Sequence, residues 1–335
     1  MKYPALLLLL AALTWAQTPR VGMVQIFGAR KVSHEKIRKA LGVNEGEPLP
    51  PSKADLEERI ESIDGVVRSS IEAVCCDQGR AILYVGIQER GADHFEFREP
   101  PSADIRLPEE VEKEWTEFLT SLSVAARQGD VAEDLSRGHS FARNEDVRRS
   151  QLKFVEFAAQ YYDLLREVLR NAIDEQQRGI AAYVLGYSEK KKEAANDLQA
   201  AMRDSDVTVR NNAMRAVSAI AVLAERSPEL EIRIPPTWFI EMLHSVHFTD
   251  RNKGTLALLN LTEKRDARVL DHIRERGLSS LIEMAQWQSL DHAFPSFILL
   301  GRVAGLPEEE IHEMWKKGRQ AELIAKFKET GKRKD

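Results

Sequence analysis

Glu241, His244 and His247 recur at intervals of three. On a helix that spacing gathers three potential metal ligands near one face, a donor set that zinc or iron accepts. No second segment carries a matched set, and His-Glu-x-x-His is absent. These residues therefore read as histidines near a helix end, with no metal and no cofactor expected. Gly138-His139-Ser140 sets a hydroxyl beside an imidazole, as a serine nucleophile requires. It lacks the G-x-S-x-G pattern and its strand-turn-helix setting. Asp291-His292 falls at a junction between helical runs and reads as a cap. Trp238, Trp287 and Trp315 fall within helical runs and read as core. Cys75 and Cys76 are adjacent, so in a strand they point to opposite faces, and a bond between them needs a strained backbone. They read as two strand thiols, with a redox role as the other reading. No phosphate loop or dinucleotide fingerprint is present. No catalytic set emerges, and the expectation is a protein that is not an enzyme.

The elements that would position these residues begin behind an export signal. Lys2 precedes an apolar run over residues 5–13, and Thr14-Trp15-Ala16 places small residues for a cut before Gln17. The run is shorter than the roughly 20 residues a membrane-crossing helix needs. Residues 1–16 thus read as a signal peptide, and retention as an uncleaved anchor is the alternative. The expected location is periplasmic or extracellular. With 335 residues, the chain suits two domains or one domain plus a repeat array. The net charge of −5 does not suit nucleic acid as a partner. Residues 316–334 are rich in lysine and arginine and read as a solvated terminus, with contact to anionic lipid or an acidic partner as the other reading and no other membrane contact expected.

Residues 17–91 read as a βααββ unit. Val24 and Ile26 belong to an alternating strand that Gly28 ends. Ser33 caps a helix buried through Ile37, Ala40 and Leu41, and Ser52 caps a second one lined by Leu56, Ile60 and Ile63. Residues 70–76 and 80–88 follow as β runs joined by Asp77-Gln78-Gly79, a hairpin signal. Ile26-Phe27-Gly28, Val32-Ser33, Gly46, Leu56 with Ile60, Gly65-Val66 and Ile87-Gln88-Glu89 together resemble the POTRA (polypeptide-transport-associated) family. The resemblance implies a non-catalytic domain that binds client segments by strand addition. It also implies edges at the first strand, with Val24 and Ile26, and the second, with Ser70 and Ile71. No β-barrel pattern follows.

Residues 92–108 read as a linker with Pro100-Pro101 and Pro108. Helical periodicity then runs over residues 109–330. Val111, Trp115, Phe118, Leu119 and Leu122 share one face; 130–144 is irregular; 147–172 reads as one long amphipathic helix. A repeat appears next. Asp174 and Arg178 are followed by Ala181 and Leu185, and Asp206 and Arg210 by Ala213 and Val217 at the same offsets. Asp250 with Ala257 and Leu261 reads as a third copy, with Gly254 in the arginine's place, and Phe297, Leu300 and Gly301 as a degenerate fourth. Second helices of each unit are expected over 194–202, 237–246 and 267–276. These residues resemble the HEAT-repeat class. Each Asp can cap its helix, and each Arg can bridge to the Asp of a neighbouring unit.

The expected fold is α+β: a small βααββ POTRA-like domain followed by an all-α HEAT-like solenoid. The expected function is an exported, non-catalytic scaffold that binds a protein or peptide in the cell envelope through the POTRA-like sheet edge and the solenoid surface. The alternative is an envelope enzyme or lyase built on HEAT-like repeats.

Overall fold

The computed structural model describes residues 19–77 and 79–331. The signal segment lies outside the described residues, as do the side chains of Cys75 and Cys76 and residues 332–335 at the end of the chain. The architecture is α+β. The N-terminal unit runs β1 (Val21–Phe27), α1 (His34–Leu41), α2 (Lys53–Glu61), β2 (Val66–Asp77) and β3 (Arg80–Glu89). Its sheet order is β1-β3-β2, with β3 parallel to β1 and antiparallel to β2, so β1 and β2 are the edges as expected. Ser33 accepts from the Glu35 amide and Ser52 from the Asp55 amide, the two caps read from the sequence. Gly28, at φ 80, ends β1 so close to β3 that a Cβ would lie 2.2 Å from the Ile87 carbonyl oxygen. The Glu89 carboxylate then collects the amides of Arg30, Lys31 and Val32 and fixes the turn into α1.

Residues 81–87 of β3 are all buried, so this central strand is covered on both faces. Leu83, Val85 and Ile87 join Val24 and Ile26 under α1 and α2. Ile82, Tyr84 and Phe27 face the other way, into the core of the helical region. That region contains α3 (Glu109–Gln128), a short ribbon of β4 (Glu133–Asp134) and β5 (Phe141–Ala142), α4 (Glu145–Gln160), α5 (Tyr162–Asn171), α6 (Glu175–Leu185), α7 (Lys191–Ala201) and α8 (Val207–Arg226). It continues through α9 (Thr237–Met242), α10 (Phe248–Leu261), α11 (Ala267–His272), a π turn at Ile273–Gly277, α12 (Leu278–Met284), α13 (Leu290–Val303), α14 (Glu308–Lys316) and α15 (Gln320–Gly331). No helix among the described residues is long and apolar enough to cross a membrane.

Several boundaries differ from the sequence reading. The long helix expected over 147–172 breaks at Tyr161 (φ −109, ψ 23), with no glycine or proline to mark it. The segment 130–144 contains the β4–β5 ribbon. The segment 92–108 is a strap tied to the helices. Ala103 pairs with Ala172, the Leu107 amide donates to Gln177, and Phe95 and Leu107 are buried.

The ladder residues lie where first turns need them. Asp174 accepts from the Gln176 and Gln177 amides, and Asp206 from those of Thr208 and Val209. Arg178 grips Asp204 with two bonds of 2.9 Å, and Arg210 reaches Asp250 at 3.0–3.1 Å. Each arginine also donates to the carbonyl six residues back: Arg178 to Ala172, Arg210 to Asp204. This signature corrects the third copy. Arg251 donates to the Ser245 carbonyl six residues back, so Arg251 occupies the arginine place and His247 the cap place. Asp250 and Gly254 are three residues out of register. Asp250 is a buried acceptor for Arg210 and Ser245 rather than a cap.

His247 does not cap α10 with its side chain. Glu72 of β2 does this instead. Its carboxylate accepts from the Phe248 amide at 2.7 Å and the Thr249 amide at 3.1 Å. Burial opposes ionisation of Glu72, but His247 and Thr249 hold its carboxyl below the usual range. The sheet is thereby welded to the helices. Tyr84 stacks on Phe248 at 3.8 Å, Phe27 meets Trp287 at 5.6 Å, and the Gly28 amide donates to Glu283 at 2.6 Å. Gly86 admits the contact, because a Cβ there would stand 1.8 Å from the Val246 carbonyl oxygen.

Candidate binding cleft

Where the sheet docks, it leaves an open cleft of about 860 Å³. One wall is α2 with Lys53, Glu57 and Glu61, and the next is the β2 edge with Val67, Arg68 and Ser69. The strap from His94 to Pro100 closes the far side, with His247 beside it. Phe97 is braced by two guanidinium groups: Arg210 lies 4.2 Å and Arg68 5.5 Å from its ring centre. Arg98 anchors the strap, donating to Asp204 at 3.1 Å and to the Leu169 carbonyl at 2.9 Å. Burial works against charge on Asp204, but Arg178, the Asp206 amide and Arg98 keep its carboxyl depressed.

Along this wall the edge of β2 is already occupied. Glu61 accepts the Ser69 amide and Glu57 the Ile71 amide, both at 2.7 Å. The two carboxylates stand where the carbonyls of an added strand would stand, one way of blunting an exposed edge. On the β1 edge, the Val24 carbonyl accepts from Arg38 and the Ile26 carbonyl from Gln25. The side chains of Val24, Ile26 and Ile71 are buried in the core under α1 and α2. Ser70 is also buried and meets His247 Nδ1 at 2.8 Å. These four residues therefore contribute backbone, not side chains, to either edge. From the sheet, Val67 (52% exposed), Arg68 and Gln88 are among the residues that line the cleft.

The other candidates are dispersed. Helix α9 stops at Met242, so Glu241, His244 and His247 share no helix face. Glu241 pairs with Arg276, His244 bonds the Arg276 carbonyl and Ser280, and His247 turns to Ser70. Among the described residues, no group of three or more His, Cys, Asp or Glu side chains is placed to hold a metal. Ser140 bonds Arg215 rather than His139, so the hydroxyl and imidazole are not coupled. His292 bonds Tyr84 at 2.6 Å across the sheet–helix contact, a docking role rather than a cap. Trp287 is buried between α12 and α13, outside any helix. Trp315 packs on Phe294 and Phe297, and Arg203 lies over Trp238.

Arg68 and Phe97 were missed at the sequence level. Phe95-Glu96-Phe97 is a strand-like alternation inside a supposed linker, and that signal marked the segment as packed. No known protein family matches this chain, and no curated protein matches it.

Proposed function

We propose that this protein is an exported, non-catalytic scaffold that holds an extended segment of another polypeptide in the cleft beside β2. The reading takes the N-terminal unit as POTRA-like and the helices as a HEAT-like array, welded into one support. The supporting observation is the cleft itself, which runs along a sheet edge and is lined by side chains of both charges with Val67 among them. Extended segments gain affinity from backbone hydrogen bonds and selectivity from alternate side-chain contacts. An incoming strand exchanges with Glu57 and Glu61 at the Ser69 and Ile71 amides. That exchange frees two carboxylates for basic side chains on the client, while Arg68 and Lys53 meet acidic ones.

The occupant is therefore an extended polypeptide of mixed charge in the cell envelope. Hydrogen exchange with a permanently unfolded probe, a reduced and carboxymethylated secreted protein, tests this. Slowing is expected at residues 66–72 and 91–100 and not on α4 or α14. Slowing spread evenly over the chain, or none, counts against the proposal.

A further inference from the structure

The β4–β5 ribbon lies over a second cluster, remote from the cleft. Gly138 sits at φ +72 in the ribbon's turn, and a Cβ there would meet Leu223 at 2.8 Å and Lys191 Cε at 3.3 Å. Beneath it Lys191 is only 7% exposed, whereas Lys190 and Lys192 on either side are exposed. The Lys191 nitrogen donates to the Gly186 carbonyl at 2.7 Å and lies 3.0 Å from His139 Nδ1. Among the described residues no ion pair joins it to a carboxylate. The His139 ring stacks on Tyr187, whose hydroxyl donates to the Ser140 carbonyl at 2.8 Å and pins the ribbon down.

The geometry suits a neutral amine. An ammonium has three N–H groups to satisfy and an amine two. Two acceptors are present, which leaves the third tetrahedral position for the lone pair. Burial pushes Lys191 down to about 7 against a weak opposing pull from Glu189, and burial with the Lys191 charge pushes His139 down to about 4. Beside His139 is a cavity of about 10 Å³, room for roughly one water-sized group. His139 and Gly186, which both touch the Lys191 nitrogen, line it. Among the described residues, His139 Nε2 and Arg215 Nε are both buried without a hydrogen-bond partner. With Nδ1 accepting, Nε2 carries the proton, so both orphans are donors and suit an acceptor oxygen.

We propose that Lys191 is a modification site, a nucleophilic amine that condenses with small aldehydes under the ribbon. The nitrogen lone pair forms the C–N bond while the carbonyl π pair moves to oxygen. The new N–H⁺ proton passes to His139 Nδ1. The oxygen takes that proton to give a carbinolamine, then leaves as water with the second amine proton as the nitrogen lone pair closes the C=N bond, so a neutral imine remains. Amine and aldehyde are consumed; imine and water are formed.

Reductive methylation of the full chain with limiting formaldehyde and cyanoborohydride tests this, read by peptide mass spectrometry. The exposed Lys190 and Lys192 on either side are internal controls. At pH 7 Lys191 is expected to react faster than both, by roughly tenfold, with the preference fading by pH 10 as ordinary lysines lose their protons. A rate equal to or below its neighbours at pH 7 overturns the proposal and leaves a shielded structural lysine. His139→Phe is expected to slow Lys191 alone; an unchanged rate removes His139 from the step.

Discussion

Replacing Arg210 by alanine is expected to lower the melting temperature by on the order of 10 °C. The side chain is fully buried and is held by Asp250, the carbonyls of Asp204 and Ser205, and the Phe97 ring. Removing it strands the Asp250 carboxylate in the interior with Ser245 as its one side-chain partner among the described residues. Breaking a buried pair in this way costs about 3–5 kcal/mol. In a domain of this size each kcal/mol moves the melting point by about 2–4 °C. The double variant Arg210→Met, Asp250→Leu should recover most of the loss, because a well-packed apolar replacement of a buried pair is often neutral. The exposed pair Lys317–Glu313 is the control, with Lys317→Ala expected to leave the melting temperature nearly unchanged. A drop for Arg210→Ala no larger than for Lys317→Ala, read by calorimetry, contradicts this account of the ladder.

Gly86→Val is the second large effect, expected to unseat the sheet from the helices. The new Cβ would lie 1.8 Å from the Val246 carbonyl oxygen and 2.7 Å from the Phe27 ring. The nearer obstacle is backbone, so no rotamer change relieves it, and such overpacking costs about 1–3 kcal/mol or more. The contacts that cooperate with Gly86 should go together. They are the Tyr84–Phe248 stack, the Glu72 cap on α10 and the Gly28–Glu283 bond. Hydrogen exchange reads this at the Phe248, Thr249 and Gly28 amides, expected to lose at least tenfold protection while the β2–β3 ladder keeps its own. Gly86→Ala should show the same pattern more weakly. Unchanged protection at those three amides would mean that the docking does not depend on Gly86.

Much of the local structure was legible because it is decided by neighbours in sequence. Ser33, Ser52, Asp174 and Asp206 cap helices within three residues of themselves, and alternation marked β1. The order of the three strands followed from the POTRA resemblance. The third copy of the Asp–Arg pattern read from the sequence was misplaced because Asp250 has the right residue type at the right offset, while the arginine that bonds the carbonyl six residues back is Arg251. The missing cap at His247 could not be found locally, since Glu72 supplies it from 176 positions away. One long-range fact was legible and unused. Ala81-Ile82-Leu83-Tyr84-Val85-Gly86-Ile87 has no polar alternation, and a strand apolar on both sides is covered on both sides. Lys191 was invisible because Lys190-Lys191-Lys192-Glu193 looks like a solvated helix start. Only the ribbon folding over it separates one lysine from its neighbours.

The most direct measurement of the central claim is photo-crosslinking in intact host cells, with the photo-reactive residue placed in turn at Val67, Gln88, Leu152 and Leu290. Val67 and Gln88 line the cleft, while Leu152 and Leu290 are exposed on α4 and α13. Val67 and Gln88 are expected to capture the same short segments of a partner polypeptide, with Arg68→Glu reducing the yield and Leu152 and Leu290 capturing none of them. Equal capture from all four positions, or capture of those segments only from Leu152 or Leu290, would contradict a cleft that holds an extended client.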